Sequence, residues 1–230
     1  MPEPEAQRRY LALFFPFLPV DRRARSGCNA PDSVDDSAPL VLVEKVRGAM
    51  RIAAICPEAH AQGLIPGMML ADARAQVPQL RVEPHDPLAD LSWLERLADH
   101  CDRFTPLVAT DPPDMLVLDI TGCTHLFGGE AALVAAAEDS LARFSDHVRS
   151  GCGDTPEAAQ ALARFAPGLS FARPEDGDVV LRRLPVAALR IEEEVQTALI
   201  RAGLKTIGDL AMRPSAPLAA RWAASQDRRW

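Results

Sequence analysis

Lysine is almost missing from this sequence: Lys45 and Lys205 are the only two in 230 residues, and nearly all other positive charge is arginine. Aromatic residues make up 5%, and tyrosine occurs once, at Tyr10. With 25 basic against 32 acidic side chains, the net charge of −7 leaves no broad positive field to attract nucleic acid. The five cysteines, at positions 28, 56, 101, 123 and 152, form no C-x-x-C pair. Their odd number argues against a disulfide framework and for reduced thiols. Cys123 and His125 are a close thiol and imidazole, but two further ligands at sensible spacing are missing, so no zinc site is expected. No apolar run approaches the roughly 20 residues needed to cross a bilayer. The N-terminal MPEPEAQRRY is too charged for a signal peptide. A cytoplasmic protein is the expectation.

What is present is a chain 48% hydrophobic, long enough for two or three small domains. Tyr10 to Phe15 reads as a buried strand stopped by Pro16 and Pro19, and Arg22 to Pro39 as a polar loop. Leu40–Glu44 and Met50–Ile55 pair around a charged turn, and short helices follow Pro57 and Met68, the second closed by Pro78. Residues 86 to 103 carry an aspartate cap, a proline at the first helical position and leucines 88, 91, 94 and 97 at helical spacing. Strands over Leu107–Thr110 and Met115–Ile120 join through the Asp-Pro-Pro-Asp turn. A helix from Glu130 to about Phe144 and a strand over His147–Gly151 come next. A capped helix runs from Asp154 to Phe165, where Pro167-Gly168 stops it, and two short helices lie around Gly203. This order describes a ferredoxin-like α+β layer with an insertion and a helical tail.

Three words in that order carry a resemblance. GLIPGMMLADARAQVP (63 to 78) resembles the finger-domain stretch of the Y-family translesion DNA polymerases, and DMLVLDITG (114 to 122) resembles their palm motif. LPVAALRIEEEVQTALIRAGLKTIGDLA (184 to 211) resembles the thumb, with Gly203, Thr206, Ile207, Gly208, Asp209 and Leu210 matching its Gly-x-x-Thr-Ile-Gly-Asp-Leu phrase. The resemblance implies a ferredoxin-like polymerase palm (8–21 and 84–168), an inserted small fingers domain (22–83) and a C-terminal helical thumb (169–230). The little-finger domain of full-length members is expected to lie outside this chain.

Active members bind two magnesium ions about 4 Å apart through carboxylates. Magnesium requires hard oxygen ligands. The resemblance puts those ligands at Phe14 and Pro16 on the first strand and at Asp114 and Met115 on the palm motif, and only Asp114 is an acid. The triphosphate-holding Tyr and Arg of the fingers fall on Pro57 and His60, and the two phosphate-contacting lysines near residue 155 fall on Pro156 and Gln160. All these losses together are similar to the catalytically degenerate, ImuB-like branch of the family. That branch implies no enzyme activity and no metal cofactor. It implies scaffolding among DNA, a RecA-like (ImuA-type) accessory protein and an error-prone replicative-type polymerase subunit. Sliding-clamp contact would need a C-terminal region beyond this chain.

The residues themselves allow another reading, an active magnesium-dependent nucleotidyltransferase using Asp21, Asp114 and Asp119. A DNA-binding module without partners is opposed by the net charge. Asp114 is expected to cap the turn and Asp119 to orient adjoining backbone. His60 and His100 are read as surface residues. Arg8, Arg9, Arg22, Arg23 and Arg25 form either a binding patch or a solvated face. Arg201, Lys205, Thr206 and Gly208 are the DNA-contact candidates, while Glu192, Glu193 and Glu194 open a helix and would repel phosphates.

Overall fold

The computed structural model describes residues 8–25, 38–166 and 177–213. Strand β1 (Tyr10–Phe14) ends before Pro16, and helix α1 (Leu18–Arg25) follows with Pro19 in its first turn. The loop expected from Arg22 is therefore helical as far as Arg25, and its remainder over residues 26–37 lies outside the described residues. Proline fixes the backbone for a first turn, where its missing N–H costs nothing, so Pro19 helps start the helix while Pro16 stands just past the strand end.

Strands β2 (Leu40–Val46) and β3 (Ala49–Ile55) form the expected antiparallel pair. Their two-residue connection, Arg47-Gly48, has φ of 49° and 85°. That is the twist-matched hairpin geometry glycine adopts without strain. Helices α2 (Pro57–Ala61) and α3 (Leu70–Gln76) lead to β4 (Arg81–Pro84), which lies parallel to β2. β4 was not visible in the sequence: four residues ending in proline make a weak strand pattern. The three-stranded sheet, ordered β3-β2-β4, builds its core from Val41, Leu42, Ile52, Leu64 and Ala73.

Next come α4 (Pro87–Cys101), β5 (Val108–Asp111), β6 (Met115–Asp119), α5 (Glu130–Leu141) and β7 (Arg149–Gly153). The four-stranded sheet is ordered β5-β6-β1-β7. With α4 and α5 as crossovers this is the ferredoxin-like arrangement expected. β6 has a neighbour on each side, and Met115, Leu116, Val117 and Leu118 are all buried, so both faces of the strand are covered.

Two expectations need correction. The buried face of α4 is Asp90, Trp93, Leu94, Leu97 and Cys101, whereas Leu88 and Leu91 are 76% and 37% exposed. Leu94 and Leu97 of the leucine spacing are buried, and the rest of the buried face includes an aspartate that apolar spacing does not mark. β7 lies two residues later than expected, at RSGCG, since its glycines weaken the strand pattern.

Helix α6 (Pro156–Phe165) is capped by Thr155, which accepts from Ala158 N–H at 3.2 Å. The Pro167-Gly168 stop lies outside the described residues. Helices α7 (Gly177–Arg183), α8 (Glu193–Arg201) and α9 (Ile207–Ala211) complete the chain, α8 opening on the glutamate run as expected. Val186, Leu199 and Leu204 form a small core there, with Ile191, Val195 and Leu210 against it. By contact density the chain forms two compact units, one from Leu13 to Arg149 and the other holding the described residues up to Ala12 and from Ser150 onward.

Candidate functional site

The ends of β1 and β6 meet where the metal positions were expected. The Phe15 N–H donates to the Asp114 carbonyl at 2.9 Å, so Phe14, Pro16, Asp114 and Met115 sit at adjoining strand ends. Phe14 is 7% exposed and Met115 1%. A phenyl ring and a thioether there are packed hydrophobes, and neither offers a hard oxygen to magnesium. The Arg149 guanidinium lies 6.0 Å over the Phe14 ring, putting a permanent cation beside a site that two divalent ions would require to be anionic. The donor set does not fit a magnesium pair.

The other acids are engaged elsewhere. Asp21 accepts from the Ser145 hydroxyl, and burial pushes its carboxyl up, with that hydrogen bond opposing. Asp119 Oδ1 accepts the Thr121 N–H at 2.9 Å, the backbone-orienting role expected of it, while its carbonyl accepts from Thr105 Oγ1 at 2.7 Å. Among the described residues no three His, Cys, Asp or Glu side chains are grouped to hold a metal. Half-buried Cys123 donates through Sγ to the Thr121 carbonyl at 3.8 Å, and His125 is exposed.

The fingers positions are local structure. Pro57 is the first residue of α2, whose N-terminus is capped by the Cys56 thiol accepting from Ala59 N–H at 3.3 Å and Leu40 N–H at 3.1 Å. His60 is exposed, as expected, but its ring meets Phe17 edge-on at 6.2 Å, and His147 meets the same ring at 5.2 Å. The Phe17, His60 and His147 cluster was not anticipated, because three separate segments bring it together. Pro156 starts α6, and Gln160 Oε1 accepts from Arg190 at 3.3 Å.

The arginines read as a possible patch are internal partners. Arg22 Nε donates to Asp90 Oδ1 at 2.6 Å, with both residues buried. Arg23 pairs with Glu83, Arg25 with Asp146 at 3.0 Å, and Arg9 with Asp154 at 2.6 Å. His100 is no free surface residue either: it contacts Ser140, Arg103 and Arg143.

The thumb candidates divide. Arg201 and Lys205 are exposed. Thr206 and Asp209 form a capping box, in which Asp209 Oδ2 accepts the N–H groups of Lys205 and Thr206 at 3.1 and 2.9 Å. Two amides that could have met a phosphate thus already hold a carboxylate. The Thr-x-x-Asp spacing was the available signal for this. A Cβ on Gly208 would stand 2.9 Å from the Arg182 carbonyl, so close packing on α7 requires glycine there.

Thr206→Ala is expected to lower stability by about 1 kcal/mol in urea unfolding. The Asp209 carboxyl is held below its ordinary 3.8, first by the Thr206 backbone and side-chain hydrogen bonds and then by the Lys205 amide. Its stabilisation is therefore complete above the unfolded value and lost as pH falls through the folded one. Unfolding of Asp209→Ala against the native chain should show a gap at pH 7 that closes below 3.8.

Comparisons with known proteins bear on the family and the fold. Residues 33–164 match the family model described as IMS, the impB/mucB/samB family. Protein ImuB of Caulobacter vibrioides is 47% identical over 160 residues, 70% of this chain and 35% of that protein. DNA polymerase IV 2 of Mesorhizobium japonicum is 30% identical over 169 residues, 70% of this chain and 40% of that one. The chain therefore spans well under half the length of these relatives. Among solved structures, the insertion ternary complex of Dbh DNA polymerase superposes with a TM-score of 0.73 at 15% identity, over 91% of this chain and 62% of that one. DinB from Sulfolobus solfataricus gives 0.71 at 17% over the same shares. These structural likenesses establish a Y-family polymerase fold.

Proposed function

The chain belongs to the impB/mucB/samB family, and from that premise we propose that it is a non-catalytic, polymerase-like adaptor in DNA-damage-induced translesion synthesis, recruiting an error-prone polymerase. One observation carries the reading: Phe14 and Met115 are packed into the protein interior where the resemblance requires metal-binding carboxylates. Pro16 beside them and Arg149 over Phe14 support it further. A single remaining acid, Asp114, supplies too few hard oxygen ligands to hold two magnesium ions. Pro57, His60, Pro156 and Gln160 leave the triphosphate without its expected partners, so neither metal nor nucleotide is held for in-line transfer.

In this reading the palm (8–21 and 84–168), fingers (22–83) and thumb (169–230) act as interaction surfaces. The proposed partners are a RecA-like accessory protein, an error-prone replicative-type polymerase subunit and, weakly, DNA through Arg201 and Lys205. Sliding-clamp contact is assigned to sequence outside this chain. The setting is cytoplasmic. Among the described residues no helix is long and apolar enough to cross a membrane.

A chromosomal Asp114→Ala change tests the adaptor role. Damage-induced mutation frequency is expected to stay at the native level, while deletion of the gene lowers it to background. A loss in Asp114→Ala as deep as in the deletion, with the protein still present at native abundance, would refute the reading.

A further inference from the structure

A groove of about 400 Å³ runs along α4 toward the end of α5. Its floor is apolar: Trp93 is 7% exposed, Leu97 is buried, and half-buried Phe144 meets Trp93 edge-on at 5.9 Å. Arg96 and Arg103 line the groove, Arg96 lying 4.8 Å over the Trp93 ring, and Arg143 lies 4.7 Å over the ring of the lining Phe144.

Two of those guanidiniums are tied to His100, and Arg96 to the Trp93 ring. Arg103 and Arg143 each place Nη2 3.0 Å from His100 Nδ1, and Nε2 meets Ser140 Oγ at 2.6 Å and Arg143 Nη2 at 3.2 Å. Burial, followed by the two arginines, keeps His100 below the ordinary imidazole value, consistent with a neutral acceptor. Asp99 lines the groove, but among the described residues none of Arg96, Arg103 and Arg143 is in an ion pair. The contrast is with Arg9, Arg22, Arg23 and Arg25, all of them paired, in a chain of net charge −7.

We propose that this groove docks an acidic peptide segment of a partner protein, carboxylates on the three arginines and one large apolar side chain on the Trp93, Leu97 and Phe144 floor. The ring-stacked Arg96 guanidinium can offer an N–H edge to a carboxylate, Arg103 and Arg143 can offer the N–H groups that His100 does not take, and their fixed positions reduce the entropy lost on binding. The same stacking opposes nucleic acid as the occupant: one face of each ring already carries an arginine, leaving room for one apolar side chain but not the succession of stacking platforms that single strands use. The site is remote in sequence from the degenerate metal positions and does not depend on the adaptor reading.

The test is fluorescence anisotropy on the whole chain with a labelled synthetic peptide of glutamates around one phenylalanine and one leucine. Parallel titrations use a peptide with alanine at both apolar positions and a labelled oligothymidylate. Saturable binding of the first peptide is expected, weakened at least about tenfold in Arg96→Glu/Arg143→Glu and with the alanine peptide, about 1.4 kcal/mol in each case. The Trp93 indole N–H resonance should shift as the peptide is added. No saturable binding, equal binding by the double variant, or oligothymidylate binding that the variant abolishes in place of peptide binding each overturns the proposal.

Discussion

Asp90→Ala is expected to destabilise the protein by about 3–5 kcal/mol, because it strands a buried guanidinium. Arg22 and Asp90 are 8% and 5% exposed, and the aspartate takes Arg22 Nε on one oxygen at 2.6 Å and His85 Nε2 on the other at 2.9 Å. His85 also reaches Glu44 at 3.5 Å, so one cluster ties α1, β2, the end of β4 and α4 together. The paired change Arg22→Met/Asp90→Leu removes both charges and should recover most of the loss, since apolar replacement of a buried pair is often neutral or better. Urea unfolding followed by far-ultraviolet circular dichroism measures both. A loss below about 1 kcal/mol for Asp90→Ala would mean that the guanidinium finds solvent.

Gly151→Ala should be as damaging, for a steric reason. A Cβ there would stand 2.4 Å from the Ala163 nitrogen, 2.5 Å from the Ala159 carbonyl oxygen and 2.9 Å from the Leu162 Cβ. Two of those atoms are helix backbone and cannot rotate away, so α6 must lift off β7. We expect a loss of about 3 kcal/mol or more in the same assay, at the upper end for overpacking. Gly48→Asn is the contrast: nothing lies within 4 Å of its Cβ position and asparagine tolerates the left-handed turn, so the change should stay within about 1 kcal/mol.

These two sites mark where the sequence was hard to read. Asp90 looked like a polar position between leucines, and its burial depends on Arg22, 68 residues away. No local spacing reveals that pairing, although Leu94 and Leu97 of the leucine spacing do lie on the buried face of α4. The glycines of RSGCG weakened a strand pattern, although glycine in a strand also marks close backbone approach, which is their role against α6. By contrast, the ferredoxin-like order and the β2–β3 hairpin were legible, because hydrophobic runs, proline stops and caps act locally.

The degenerate site divides in the same way. That Phe14, Pro16 and Met115 are not carboxylates is plain from residue identity once the motifs are aligned. That Arg149 covers Phe14 and that His60 and His147 flank Phe17 arises from tertiary approach alone. The Lys205 and Thr206 amides already bound by Asp209 were foreshadowed by a Thr-x-x-Asp spacing that was not used.

Single-nucleotide incorporation on a primed template, in magnesium and then in manganese, bears most directly on the proposal that the chain lacks polymerase chemistry. An active Y-family polymerase serves as the positive control. The native chain is expected to add no nucleotide in either metal while remaining folded by circular dichroism. Metal-dependent incorporation by the native chain that Asp114→Ala abolishes would contradict it, and would mean that Asp114 assembles a working metal site with acids such as Asp21 and Asp119.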